Sequence, residues 1–259
     1  MARPTACAFL LALLAGCAAP EDPARLPDSI AVIGDSISRA TNVQGESFGD
    51  QPAHAWATGT APEDGVDSHF ERLRALGADI VPFNDARSGA RMADLARQAG
   101  EAVRQRAQHV VILLGANDLC ASPPTEPAAF RAQLAQGAAA LEPLGARVLV
   151  ASVPDVPQLV TLYGNNDTAR AVWKAFDVCP GVLAEGADLE AARALLAAYN
   201  AALREEAAAR GWSWDGGAVF ETAYAQADVS AVDFFHPSLA GQARLAEATW
   251  GASPYRAWS

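Results

Sequence analysis

The chain alternates short, wholly apolar runs with longer stretches whose apolar residues recur every three or four positions. Residues 30–33 (Ile30, Ala31, Val32, Ile33) and 110–114, and the run that follows Arg147 as far as Val153, are of the first kind. They predict strands covered on both faces, because a half-exposed strand would alternate apolar with polar residues. Residues 79–86 and 212–220 predict two more strands, about five in all. The second kind of stretch predicts helices over residues 66–76, 92–107, 125–144, 189–210 and 238–250. Phe70, Leu73 and Leu76 share a face in the first of these, and Met92, Leu95, Ala96, Ala99 and Val103 in the second. Pro127 fits an opening turn, Pro143 a helix end, and Ser238 an N-cap.

Two regions break the pattern. Residues 41–67 are polar and glycine-containing, with weak periodicity, and predict a loop that lines or covers one side of a site. His54 and Trp56 within it are either substrate contacts or plain loop residues, and His69 reads as a surface or internally satisfied histidine. Residues 155–187 carry turn signals around a short helix with Trp173 and Phe176. Regular alternation of strand and helix elsewhere predicts one doubly wound α/β domain over residues 29–259.

Composition narrows the function classes. Of 259 residues, 51% are hydrophobic, ample for a core, and the formal net charge of -11 argues against a nucleic-acid partner. Arg3 followed by the apolar residues 6–15 reads as an export signal over residues 1–16. Leu14-Ala15-Gly16-Cys17 resembles the lipobox of bacterial lipoproteins. That resemblance implies lipidation at Cys17, a tether over residues 17–28, and a cell-envelope location with membrane contact through the lipid anchor only. A plain secretory signal is the alternative. With Cys7 in the signal and Cys17 acylated, Cys120 and Cys179 remain, as a disulfide in an oxidising compartment or as two buried thiols. No CxxC or Cys/His cluster suggests zinc, and no glycine-rich phosphate loop follows the first strand. Neither a metal nor another cofactor is therefore expected.

Candidate chemistry sits where predicted strands end. The first strand runs into Gly34-Asp35-Ser36, which sets a hydroxyl at the carboxyl edge of the sheet, where open α/β folds bind ligands. Asp35 and Ser36 could equally cap a helix. Gly89 follows the second strand, Asn117 and Asp118 the third, and Asp233 and His236 precede the closing helix. Acyl transfer needs a nucleophile, a base, a group that orients the base, and donors aimed at the oxyanion. Ser36, His236 and Asp233 fill the first three roles. The backbone N–H groups of Ser36 and Gly89 and the Asn117 amide fill the last. The G-x-S-x-G elbow of ordinary α/β-hydrolases is missing, since Ser36 is followed by Ile37 and Ser38.

The order of these blocks resembles the SGNH (GDSL-type) hydrolases: GDS at Gly34–Ser36, a glycine block at Gly89, GAND at Gly115–Asp118, and DFFHPS at Asp233–Ser238. The resemblance implies a flavodoxin-like three-layer α/β/α sandwich around a parallel sheet. It also implies a serine esterase with Ser36 as nucleophile, Gly89 and Asn117 as oxyanion donors, and Asp233 and His236 as triad partners. GANDLC, with Cys120, resembles the phospholipase-B-like branch. The substrate classes implied are short-chain, lysophospholipid and acyl-glycan esters. An acyltransferase using the same triad, and a non-catalytic envelope binding lipoprotein, are the alternatives.

Overall fold

Six consecutive buried residues, Ser29–Gly34, form β1, and five more, His109–Leu113, form β3 beside it. In the computed structural model, which describes residues 25–45 and 48–258, these are the central strands of the sheet. The signal (1–16), Cys17 and most of the 17–28 tether lie outside the described residues. In chain order the other elements are α1 (His69–Ala75), β2 (Val81–Asn84), α2 (Leu95–Gln105), α3 (Ala116–Cys120), α4 (Pro127–Leu141) and β4 (Arg147–Val150). There follow α5 (Gln158–Tyr163), α6 (Asp167–Ala175), α7 (Pro180–Leu183), α8 (Leu189–Ala209), β5 (Ser213–Trp214), α9 (Ala218–Glu221) and α10 (Leu239–Trp250).

All strands are parallel, in the order β2-β1-β3-β4-β5. This is the flavodoxin-like order, whose chain reversal at β1 opens a crevice at the carboxyl ends of β1 and β3. Right-handed crossovers put α2, α4 and α8 on one face, with α4 packed between the other two. The other face carries α1 and α10, joined by a bond between His69 Nε2 and Thr249 Oγ1 (2.8 Å). The result is the expected three-layer sandwich. β2 lies at the edge, where Pro82 costs no ladder bond and Val81 stays 53% exposed.

Local chemistry sets several element ends differently from the periodicity. The fifth strand is two residues long instead of spanning 212–220. Asp215 stops it by accepting bonds from Ser152 N (3.0 Å), Ser152 Oγ (2.7 Å), Gly217 N (2.9 Å) and Val219 N (3.0 Å). Gly216 and Gly217, at φ of 74° and 89°, then turn the chain into α9. The difficult 155–187 segment resolves into α5, α6 and α7. Trp173 is buried there, whereas Phe176, just past α6, is 76% exposed. His69 and Trp56 are both fully buried. The His69 ring meets the Trp56 and Trp250 rings edge-on, and Trp56 Nε1 donates to Ser38 Oγ (3.2 Å). His54 pairs with Asp64 (2.8 Å).

The buried face of α2 holds a polar residue that the apolar period skips. Gln98 is fully buried, and its carboxamide brackets Gly34: Oε1 accepts from Gly34 N (2.8 Å) and Nε2 donates to Gly34 O (2.9 Å). Replacing Gln98 by Ala strands the Gly34 N–H and opens a cavity. Urea denaturation should register a loss of about 2–4 kcal/mol, and a loss under about 0.5 kcal/mol would contradict the clamp.

Candidate active site

Side chains gather at the carboxyl end of the sheet because each strand there ends in a turn that holds its own polar groups. After β1, Asp35 Oδ1 accepts from Ile37 N (2.9 Å), a tight turn that holds Ser36 between them; Ser36 is buried, with 7% of its surface left accessible. Space at Gly34 forbids a side chain, since a Cβ would lie 2.4 Å from Ser38 Oγ. Gln242 of α10 reaches the same turn. Its Nε2 donates to Ile37 O (2.9 Å), and its Oε1 accepts from Trp56 N (3.0 Å). The closing helix, and with it the loop that precedes it, is thereby bonded to the residue after Ser36.

That loop carries Asp233 and His236. Phe234 between them has a φ of 56°, unusual for a bulky residue, and its ring packs on Tyr163 while its carbonyl accepts from Trp173 Nε1 (3.3 Å). The sharp bend brings Asp233 Oδ2 to His236 Nδ1 at 2.6 Å. Asp233 Oδ1 accepts from the backbone N–H groups of Phe235 and His236, each at 2.9 Å. A fourth bond comes from Asn42 Nδ2, at 2.7 Å from Oδ2. Burial alone would raise the Asp233 pKa. The bond and charge of His236, the Asn42 bond and the backbone outweigh it and hold the carboxyl below its ordinary range.

Gly89 and Asn117 come together on the other side. Gly89 is exposed in the turn after β2, with φ of 80°. Asn117 lies on α3, and its Nδ2 donates to Ala90 O (3.0 Å); the amide's second hydrogen is a further donor. Asp118, fully buried, accepts from Met92 N (2.8 Å) and ties α3 to the same turn. Gly115, at φ of 131°, starts α3, where a Cβ would meet Val153 Cγ2 at 2.6 Å. Cys120 ends α3 and is joined by a disulfide (S–S 2.01 Å) to Cys179, which opens α7.

Asp233 and His236 are thus bonded directly, and Asn117 is bonded to the turn that holds Gly89. No hydrogen bond joins Ser36 Oγ to His236 among the described residues; such contacts often tighten when substrate binds. The sequence pattern marks neither Asn42 nor Gln242. Asn42 lies in the aperiodic 41–67 region, 191 residues from its partner. Gln242 follows a predicted N-cap by four positions, and no spacing rule marks it.

Asp35 is the electrostatic anomaly. It is fully buried, and its Oδ2 meets no donor among the described residues. Burial pushes its pKa up to about 7, against the lowering effects of the Ile37 bond and of the nearby His236, while Asp118 adds to the rise. A carboxyl raised in the folded state binds its proton more tightly there than in the unfolded chain. Its stabilising effect is therefore full below the unfolded value of 3.8 and is lost as pH rises to about 7. Asp35→Asn keeps the acceptor for Ile37 N and cannot ionise. Its stability relative to the parent should climb between pH 4 and pH 7 by on the order of a few kcal/mol. Parallel pH–stability curves in chemical denaturation would contradict this.

A hydroxyl on a sheet-edge turn, an anchored imidazole and amide donors are the kinds of group that nucleophilic acyl transfer uses. Comparison with known proteins agrees in kind. Residues 32–244 match the GDSL-like lipase/acylhydrolase family. Among solved structures, the chain is similar to TesA (23% identity, TM-score 0.58, covering 89% of this chain and 99% of that one). It is also similar to a lipase/acylhydrolase from Enterococcus faecalis (18%, TM-score 0.56, 85% and 92%). A third is a catalytic mutant of Axe2, an acetylxylan esterase from Geobacillus stearothermophilus (19%, TM-score 0.52, 85% and 91%). No curated protein matches the chain. With the family match spanning most of its length, the chain belongs to the GDSL-like lipase/acylhydrolase family and is a carboxylic ester hydrolase.

Proposed function

We propose that the chain hydrolyses esters of short acyl groups through an acyl-enzyme on Ser36. The observation that carries this reading is the 2.6 Å bond between His236 and Asp233, on a loop whose following helix is bonded to the Ser36 turn. With Nδ1 engaged by Asp233, the imidazole keeps its Nε2 lone pair for the Ser36 hydroxyl proton. Ser36 Oγ attacks the ester carbonyl, and negative charge builds on its oxygen. The Ser36 and Gly89 N–H groups and the Asn117 amide stabilise that charge, each donor contributing roughly 3 kcal/mol to the transition state. The imidazolium returns its proton to the departing alcohol. Water, deprotonated by His236, then cleaves the acyl-enzyme.

We read acyl size from an apolar recess lined by the sequence neighbours of Ser36 and His236, though by neither of those two residues. Ile37, next to Ser36, and Phe235 and Pro237, on either side of His236, line it with Val156, Leu159 and Leu245. Its volume is about 40 Å³, a few times the roughly 10–15 Å³ that one water needs. That supports a few heavy atoms and disfavours a long acyl chain. The acetyl specificity named for Axe2 is consistent with such a recess, and an acyl-glycan alcohol is the corresponding class.

Three measurements test the proposal. A fluorophosphonate should form its adduct on Ser36. His236→Ala should lower kcat on the order of 10,000-fold, and Asp233→Asn roughly 100- to 10,000-fold. Label elsewhere, or full activity in His236→Ala, would defeat the mechanism. On p-nitrophenyl esters from acetyl to palmitoyl, kcat/KM should peak at two to four carbons, about what the recess holds. A peak at long chains would defeat the short-acyl assignment and leave the triad standing.

A further inference from the structure

The segment after the nucleophile turn touches both halves of the site through two adjacent side chains. Thr41 Oγ1 donates to Asp50 Oδ1 (2.6 Å) and lies 3.0 Å from Ser88 Oγ, which itself donates to Asp50 Oδ1 (2.5 Å). Ser88 immediately precedes Gly89. Asn42 reaches the opposite way, to Asp233.

The Asn42 carboxamide has one allowed orientation. Its Oδ1 accepts from Gly49 N (2.7 Å), so Nδ2 must face the Asp233 carboxylate; the flipped amide would set oxygen against oxygen and N–H against N–H. Its backbone is held as firmly: Asn42 N donates to Gly49 O (2.8 Å), and Asn42 O accepts from Ser230 Oγ (2.5 Å). The residue adopts φ of 55°, a left-handed conformation that asparagine tolerates. Asn42 and His236 therefore share one carboxylate oxygen, Asp233 Oδ2.

We propose that Asn42 is a positioning residue for the acid–base pair, one that fixes Asp233 and limits how strongly its carboxylate holds the protonated imidazole. The proposal rests on Ser36, His236 and Asp233 acting as described above. Removing the Asn42 donor concentrates the carboxylate's charge on His236 Nδ1–H. The imidazolium is then favoured, and the base becomes available only at higher pH. The other titratable groups around the pair are Asp35 beside Ser36, Asp228 with its partner Arg244, and Tyr163 against Phe234. All are retained in the variants below.

The experiment is kcat and KM on p-nitrophenyl acetate from pH 5 to pH 9, with thermal unfolding, for Asn42→Ala, Asn42→Gly and Ser88→Ala. Glycine accepts the left-handed backbone, so Asn42→Gly secures a folded variant. Both Asn42 variants should lose kcat roughly 10- to 100-fold with KM within about twofold, and their acid limb should move up by about half a pH unit. Ser88→Ala, on the other arm, should lower kcat with the acid limb in place. Asn42→Gly with an unmoved acid limb would overturn the proposal, whatever its kcat. Ser36→Ala with parental activity would overturn the triad reading and this one with it. An inactive Ser36→Ala beside an unmoved limb overturns this one alone.

Discussion

Where β1 stops, the backbone must leave an apolar, fully buried sheet without stranding a polar group, and the Gln98 carboxamide meets that demand by bonding both Gly34 N and Gly34 O. The same position must be glycine, because Ser38 Oγ occupies the space a Cβ would take. Together these two facts fix the point at which the chain turns, and so the position of Ser36. Gln242 repeats the device from the opposite helical layer, bonding Ile37 O and Trp56 N. One glutamine from each layer thus brackets the Ser36 turn. Buried amides suit this work because they carry a donor and an acceptor without the desolvation cost of a charge.

Three buried carboxylates near the site are treated in different ways. Asp233 receives four donors and stays anionic despite its burial. Asp118 accepts from Met92 N, yet burial still raises it. Asp35 has Ile37 N on one oxygen and none of the described donors on the other, and burial pushes it up to about 7. The four donors on Asp233 set it apart from the other two, each of which has an oxygen that meets no donor among the described residues. The charge is retained on Asp233, which is bonded to His236, and suppressed on Asp35, beside Ser36.

Much of the fold was legible along the chain. The unbroken apolar runs of β1 and β3 announce strands buried on both faces, and the helices between them follow from period alone. Where the periodicity misled, a single polar contact is responsible. Asp215 ends β5 after two residues because four donors converge on it, three of them backbone N–H groups. Gln98 was passed over on α2 because a polar residue on a buried face looks like a break in the pattern until its partner is known.

The site divides along the same line. Gly34-Asp35-Ser36, Gly115-Ala116-Asn117-Asp118 and Asp233–His236 could be picked out by residue type and order, because each sits in a turn whose local geometry is encoded within a few residues. Asn42, Gln98 and Gln242 could not, because their partners lie 64 to 205 residues away and no local period records such a pairing. The apolar recess lined by Ile37, Phe235 and Pro237 is likewise built from residues of separate segments. The sequence by itself determined the cores of β1 and β3, the course of the long helices and which polar residues stand at the strand ends. Their mutual orientation was decided by tertiary structure, since a hydrogen bond between distant residues exists only once the sheet has brought its strand ends together.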